Sequence, residues 1–300
     1  MITKLNTNLP RFHEEALARS LGIPYEINSI QLSHCTLNYF SAGAGPTLLL
    51  LHGANFGWGV WYPNIPALAK KFRVIALDLP GSGRSQRVDY ASLQGEDLFA
   101  TTEEFVSRMG LTNFAVIGCS IGGWLALKLA LKHKNNVRAV VLENAVGFSD
   151  YMNMFDKILA SYSLASVLAR FFLRPHRNNR RIELFLRNIF ADKKLPLRPE
   201  FLEYFYETMA TSHNLLFISR LTAITKTLLL QKQLGEISQP VCVIWGASDS
   251  IMPITRNQPY FTLLPNMKAL IYENTGHIPS LESPNRFNSD IIEFLETKLN

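Results

Sequence analysis

The chain has 300 residues, 47% of them hydrophobic and 18% charged, with a formal net charge of +6 at pH 7. That composition sustains a large buried core and excludes a disordered or low-complexity protein. No apolar stretch is both long and unbroken enough to cross a bilayer, and no nucleic-acid-binding motif accompanies the positive charge, so neither stable membrane insertion nor a nucleic-acid partner is implied.

In chain order, MITKLNTNLPRFHEEALARS reads as a polar arm. His13, Glu14 and Glu15 stand where a signal peptide needs an apolar core, so a cytoplasmic location is expected. Residues 25–32 and 35–40 read as two strands around a turn near Ser33 and His34, and the small, glycine-rich 41–46 reads as a loop. Two continuous apolar runs follow, 47–51 and 72–77, the pattern of strands buried on both faces of a parallel sheet. Residues 98–109 carry a helical period, 114–117 is another buried strand, 121–133 a helix and 137–142 a strand.

The alternation then lapses. Helical segments are expected at 151–173, 180–190, 199–211 and 215–230, rich in aromatic and aliphatic residues that cannot bury themselves alone. They predict a helical lid inserted after the sixth strand. Phe155, Phe172 and Tyr204 are the lid aromatics expected to bear on selectivity. Strands return at 241–245 and 269–272, and Pro284–Leu299 is a closing helix. The expected class is α/β, a mostly parallel sheet with flanking helices. Residues 1–146 and 237–300 would form its core domain and 147–236 the lid.

The sharpest motif is Gly118-Cys119-Ser120-Ile121-Gly122-Gly123, between a strand and a helix. A G-x-S-x-G there marks a tight turn that lifts a serine hydroxyl above the sheet edge, with glycines where side chains have no room. Ser120 is therefore the expected nucleophile, and Cys119 is expected to point away. A serine hydroxyl needs a base. Of seven histidines, His277 follows the last strand in a loop at the carboxyl edge of the sheet, where Ser120 also lies. His52 suits a structural hydrogen bond and His133 a solvated cation at a helix end. Asp249, in the loop after 241–245, is the expected partner of His277, with Glu143 as its rival. Backbone N–H groups of Ile121 and Ala54, with Asn55 next, are the expected oxyanion donors.

Other patterns carry less. Cys35, Cys119 and Cys242 are odd in number and widely spaced, as small buried hydrophobes are. No His or Cys spacing implies a metal, and no cofactor is expected. The Asp78-Leu-Pro-Gly-Ser-Gly-Arg-Ser85 segment lacks the third glycine of a dinucleotide motif, since position 86 is Gln86. The basic residues clustered over 170–194 read as a solvated helix face, with weak attraction to an anionic substrate or surface as the alternative.

Taken in order, Leu51-His52-Gly53, Asp78 to Ser85, Gly118 to Gly123, Gly246-Ala-Ser-Asp249 and Gly276-His277 resemble the α/β-hydrolase superfamily, in its lidded branch of esterases, lipases and carbon–carbon hydrolases. The resemblance runs from about residue 25 to the end, with the lid matching in position only. It implies a Ser-Asp-His triad and a lid between the sixth and seventh strands, while the apolar lid itself suggests a small hydrophobic or aromatic acyl ester, or a related acyl compound, as substrate. The alternatives are carbon–carbon bond hydrolysis of a ring-cleavage-type diketone acid and a hydrolase-like receptor whose pocket binds a ligand without physiological turnover. Serine at 120 separates the chain from the dehalogenase and epoxide hydrolase branches, which use aspartate there. The 28-residue step from Asp249 to His277 suits carbon–carbon hydrolases, whereas Ile278 stands where those enzymes carry tryptophan and counts against a ring-cleavage substrate.

Overall fold

The computed structural model describes residues 11–86, 88–89, 92–150, 179–209 and 212–299. Eight strands form one sheet: β1 (Tyr25–Gln31), β2 (Thr36–Ala42), β3 (Thr47–Leu51), β4 (Arg73–Leu77), β5 (Phe114–Cys119), β6 (Val137–Glu143), β7 (Val241–Gly246) and β8 (Met267–Tyr272). Their spatial order is β1-β2-β4-β3-β5-β6-β7-β8. β1 and β2 pair antiparallel, β2 pairs antiparallel with β4, and every later pair is parallel.

The strand sequences explain this placement. β3, β5 and β7 are apolar almost throughout because both faces are covered. Along β3, Leu49 and Leu51 enter the layer shared with Trp124, Leu125 and Phe105, while Leu48 and Leu50 enter the opposite layer with Trp58, Trp61 and Phe287. Helices α3 (Gly95–Arg108) and α4 (Ile121–Lys132) line the first side. On the other lie α1 (Phe12–Ser20) and α10 (Pro284–Leu299), together with the turn at Trp58–Trp61 and the short α2 (Ile65–Leu68).

Between β6 and β7 the described chain is helical: α5 (Asn179–Asn188), α6 (Pro199–Met209) and α7 (Ser212–Ala223). This is the helical lid after the sixth strand. Short helices α8 (Ile254–Asn257) and α9 (Pro279–Glu282) complete the α-helices among the described residues. The helix expected over 151–173, with Phe155 and Phe172, lies outside the described residues. Tyr204 is described, and it is fully buried beside Trp58, with ring centroids 5.6 Å apart, in the seam between α6 and the core.

The N-terminal segment departs from expectation. Residues 12–20, read as part of a polar arm, form α1, which buries Leu17, Ala18 and Glu14. Glu14 is tolerated there because its Oε1 accepts Asn38 Nδ2 at 2.8 Å and Trp58 Nε1 at 2.9 Å. Those partners are remote in sequence, so the periodicity of the segment gives no sign of them. Among the described residues, no helix is long and apolar enough to cross a membrane, and no group of His, Cys, Asp or Glu could hold a metal ion.

Candidate active site

Parallel register brings the carboxyl ends of the strands to one edge. Leu51 pairs with Gly118, Cys119 with Glu143, and Gly246 with Tyr272. The residues just beyond those ends are therefore neighbours, and all the expected site residues belong to this edge.

Ser120 caps α4 with φ 53° and ψ −116°, a backbone region that costs a non-glycine residue about 1–3 kcal/mol. Neighbouring bonds hold it there. Its N–H donates to Glu143 O at 2.9 Å, and its carbonyl accepts from Gly123 and Val146, each at 3.0 Å. Gly118 and Gly122 make the turn sterically feasible. A Cβ on Gly118 would lie 2.2 Å from Gly122 O, and one on Gly122 would lie 2.1 Å from Leu51 O. Both obstacles are backbone and cannot rotate away. Gly122→Ala is accordingly expected to destabilise the protein by about 3 kcal/mol, read as a fall in melting temperature; an unchanged melting temperature would contradict this packing.

Asp249 lies in the loop after β7 and is 4% exposed. Its Oδ1 accepts Ile251 N–H at 2.8 Å and Met252 N–H at 3.0 Å, which fixes the carboxylate plane. Its Oδ2 faces His277 Nδ1 at 2.8 Å and also accepts Asn144 Nδ2. Burial works to raise the Asp249 carboxyl, but His277 and these donors outweigh it and hold the group below its usual range. With the carboxylate ionised, Nδ1 must be the donor, so the lone pair of the neutral ring is on Nε2. Burial also disfavours a charged His277, yet the Asp249 carboxylate prevails and raises the ring above its ordinary pKa. An imidazole in this state can accept a proton at Nε2 and keep it.

Glu143 is placed differently. It ends β6, is fully buried, and accepts Ser280 N–H at 2.5 Å. Burial pushes its carboxyl up to about 7. Asp249 thus occupies the hydrogen-bonding position on His277 for which Glu143 was the rival. Cys119 is buried and its thiol is pushed far above its usual range, chiefly by desolvation. His52 has the structural role expected of it: Nε2 accepts Leu79 N–H at 2.9 Å, and burial lowers the ring to about 4. At the end of α4, His133 Nε2 lies 2.8 Å from Glu103 Oε1.

Of the expected oxyanion donors, Ile121 is the first residue of α4, where helical N–H groups have no intrahelical acceptor. Ala54 follows Gly53, and a Cβ on Gly53 would lie 3.3 Å from Ser120 Cβ, so this loop passes directly beside the serine.

Two polar residues were not legible as site residues. Asn144 has φ 42°, donates to Asp249 Oδ2, and accepts Gly246 N–H at 3.2 Å through Oδ1. Glu282 accepts Gly276 N–H at 2.9 Å, one residue before His277. The position of Asn144 directly after β6, at the carboxyl edge, was the available signal; Glu282 had only its closeness to His277 in sequence.

The chain is similar to several known proteins. The 1-acylglycerol-3-phosphate O-acyltransferase of Arabidopsis thaliana is 37% identical over 118 residues, covering 38% of this chain and 28% of that protein. The chain thus spans only about a quarter of that relative's length. The 2-hydroxy-6-oxononadienedioate/2-hydroxy-6-oxononatrienedioate hydrolase of Paraburkholderia phymatum is 27% identical over 269 residues, 86% of this chain and 90% of that one. The pimeloyl-(acyl-carrier protein) methyl ester esterase of Nitrosomonas europaea is 29% identical over 264 residues, 83% and 95% of the two chains. A thermophilic esterase from Thermogutta terrifontis superposes with a TM-score of 0.73 at 20% identity, over 92% of this chain and 100% of that one, and speaks to the fold. The family model for the alpha/beta hydrolase fold matches residues 46–284. With its sheet order, its serine elbow and this match over most of its length, the chain belongs to the alpha/beta hydrolase fold family.

Proposed function

We propose that the protein hydrolyses a carboxylic ester of a small hydrophobic or aromatic acyl substrate through Ser120, His277 and Asp249. The observation that carries the reading is the Asp249–His277 hydrogen bond of 2.8 Å, on the same sheet edge as a serine held at an elbow. Ser120 Oγ adds to the ester carbonyl carbon as His277 Nε2 takes its proton. Asp249 stabilises the imidazolium so formed. The N–H groups of Ala54 and Ile121 receive the developing oxyanion, each donor worth about 3–4 kcal/mol. Collapse expels the alcohol, which takes the proton from His277. Water, activated by the same ring, then releases the acid and restores Ser120.

In this reading 1–146 and 237–300 form the catalytic core and 147–236 the lid. The apolar character of the substrate is supported by the aromatic and aliphatic content of that insertion. A hydrolase of carbon–carbon bonds is the competing reading, because the Paraburkholderia phymatum relative aligns over a similar span.

A panel of activated esters of increasing acyl length, run beside a 2-hydroxy-6-oxo-dienoic acid, separates the two. Esters are expected to be turned over faster, with a maximum at one chain length. Turnover of the dienoic acid alone would replace ester hydrolysis with carbon–carbon cleavage, and turnover of neither would remove the hydrolase assignment.

A further inference from the structure

The loop carrying His277 and the short helix α9 that follows it are fastened to the 189–191 segment of the lid. His277 N–H donates to Ile189 O, just past the end of α5, at 2.9 Å. Ala191, two residues on in the lid, donates its N–H to Glu282 Oε2 at 2.7 Å. The same Oε2 accepts Gly276 N–H at 2.9 Å, and Oε1 accepts Ile278 N–H at 3.3 Å. Three consecutive backbone donors, 276 to 278, are thus held by the lid or by Glu282, and Glu282 also holds the lid. Gly276 allows the approach: a Cβ there would lie 2.5 Å from Ile189 O and 2.7 Å from Ala191 N.

We propose that Glu282 is a positioning residue that couples the lid to His277, so that the catalytic loop keeps its geometry only while the 189–191 segment is seated. The proposal rests on the hydrolase reading for its effect on turnover, though not for the coupling itself. Ala191 is bonded to Glu282, whereas the Ile189 bond to His277 is backbone to backbone, so among the described residues removing the carboxylate leaves the lid a single hydrogen bond to the loop. A small shift in such a loop costs turnover out of proportion to its size, because proton transfer depends steeply on donor–acceptor placement.

The charge of Glu282 also bears on the ring. Asp249, Glu143 and Glu282 all favour protonated His277. On the lid side, Lys193 Nζ caps Asn188 O and Phe190 O, Arg187 binds the carbonyls of Lys193 and Leu195, and Asp192 accepts Lys194 N–H. Burial raises the Glu282 carboxyl, opposed by its three N–H donors and by His277. Replacing this carboxylate by an amide therefore shifts the ring to lower pH and turns one acceptor into a donor facing backbone N–H groups.

The test compares wild type with Glu282→Gln and Glu282→Asp in the full chain. It uses NMR titration of His277, hydrogen exchange over 186–195 and 274–280, and ester kinetics against pH. For Glu282→Gln, exchange is expected to rise in both segments together and the His277 titration to move to lower pH. Its kcat should fall about tenfold, with KM changing by less than about twofold. Glu282→Asp keeps the charge but is one methylene shorter, so its His277 titration should stay near wild type while exchange over 186–195 still rises; it also serves if the glutamine variant does not fold. An unmoved His277 titration in Glu282→Gln, or a rise confined to 274–280, would overturn the proposal, as would a lower melting temperature with unchanged kinetics. Should wild type turn over no ester while both physical effects appear, the ester-hydrolysis reading fails and the coupling stands.

Discussion

Alanine at position 120 is expected to lower ester turnover by about 10⁶-fold while leaving the fold intact. The loss is large because in the proposed mechanism the hydroxyl forms the acyl bond, and the histidine and its carboxylate act only through it. The neighbouring thiol cannot take over, since Cys119 is buried and held protonated by its surroundings. Stability should change little. The positive φ of Ser120 strains alanine about as much as serine, and the bonds that hold the turn are made by the backbone. Purified Ser120→Ala and wild type would be compared by single-turnover hydrolysis and melting temperature. Residual turnover within about tenfold of wild type would place the nucleophile elsewhere.

Asp249→Asn is expected to cost about 10⁴-fold in turnover. The amide keeps the size of the carboxylate, but its NH₂ can face Nδ1, favouring the tautomer that carries the proton on Nε2. A ring in that state cannot accept from Ser120. The sign of the pH effect follows from the same interaction. If His277 is the base, as proposed, it must be neutral to act, so kcat/KM is expected to rise with pH through the His277 pKa, which the Asp249 carboxylate raises above its ordinary value. Without that charge the acid limb should move to lower pH. Glu143→Gln should change turnover by no more than about tenfold, because Glu143 bonds Ser280 N–H rather than the ring. A reversed ranking of the two variants would make Glu143 the functional acid.

Much of this organisation is written locally in the sequence. β3 and β7 are readable because continuous apolar runs have few alternatives to a doubly covered parallel strand, and α10 because its period runs unbroken from Pro284 to Leu299. Ser120, Asp249 and His277 are readable because each sits in a short loop motif directly after a strand. What sequence periodicity misses is decided by partners far along the chain. α1 looked like a polar arm since a buried Glu14 makes sense only beside Asn38 and Trp58. Asn144 matters through Asp249, 105 residues away, and Glu282 through Ala191, 91 residues away. Tyr204, expected among the lid residues that set selectivity, is instead a seam residue packed on Trp58. Its exposure to substrate could not be judged from composition, because an aromatic that packs a lid and one that lines a pocket look alike in sequence.

Reaction with a fluorophosphonate shows whether Ser120 is a hydroxyl activated for acyl transfer. Intact mass followed by peptide mapping should show one adduct per chain, on Ser120, formed faster as pH rises through the His277 titration and absent from Ser120→Ala. An adduct on Cys119 or on another serine, or no adduct with the folded wild type, would contradict the account.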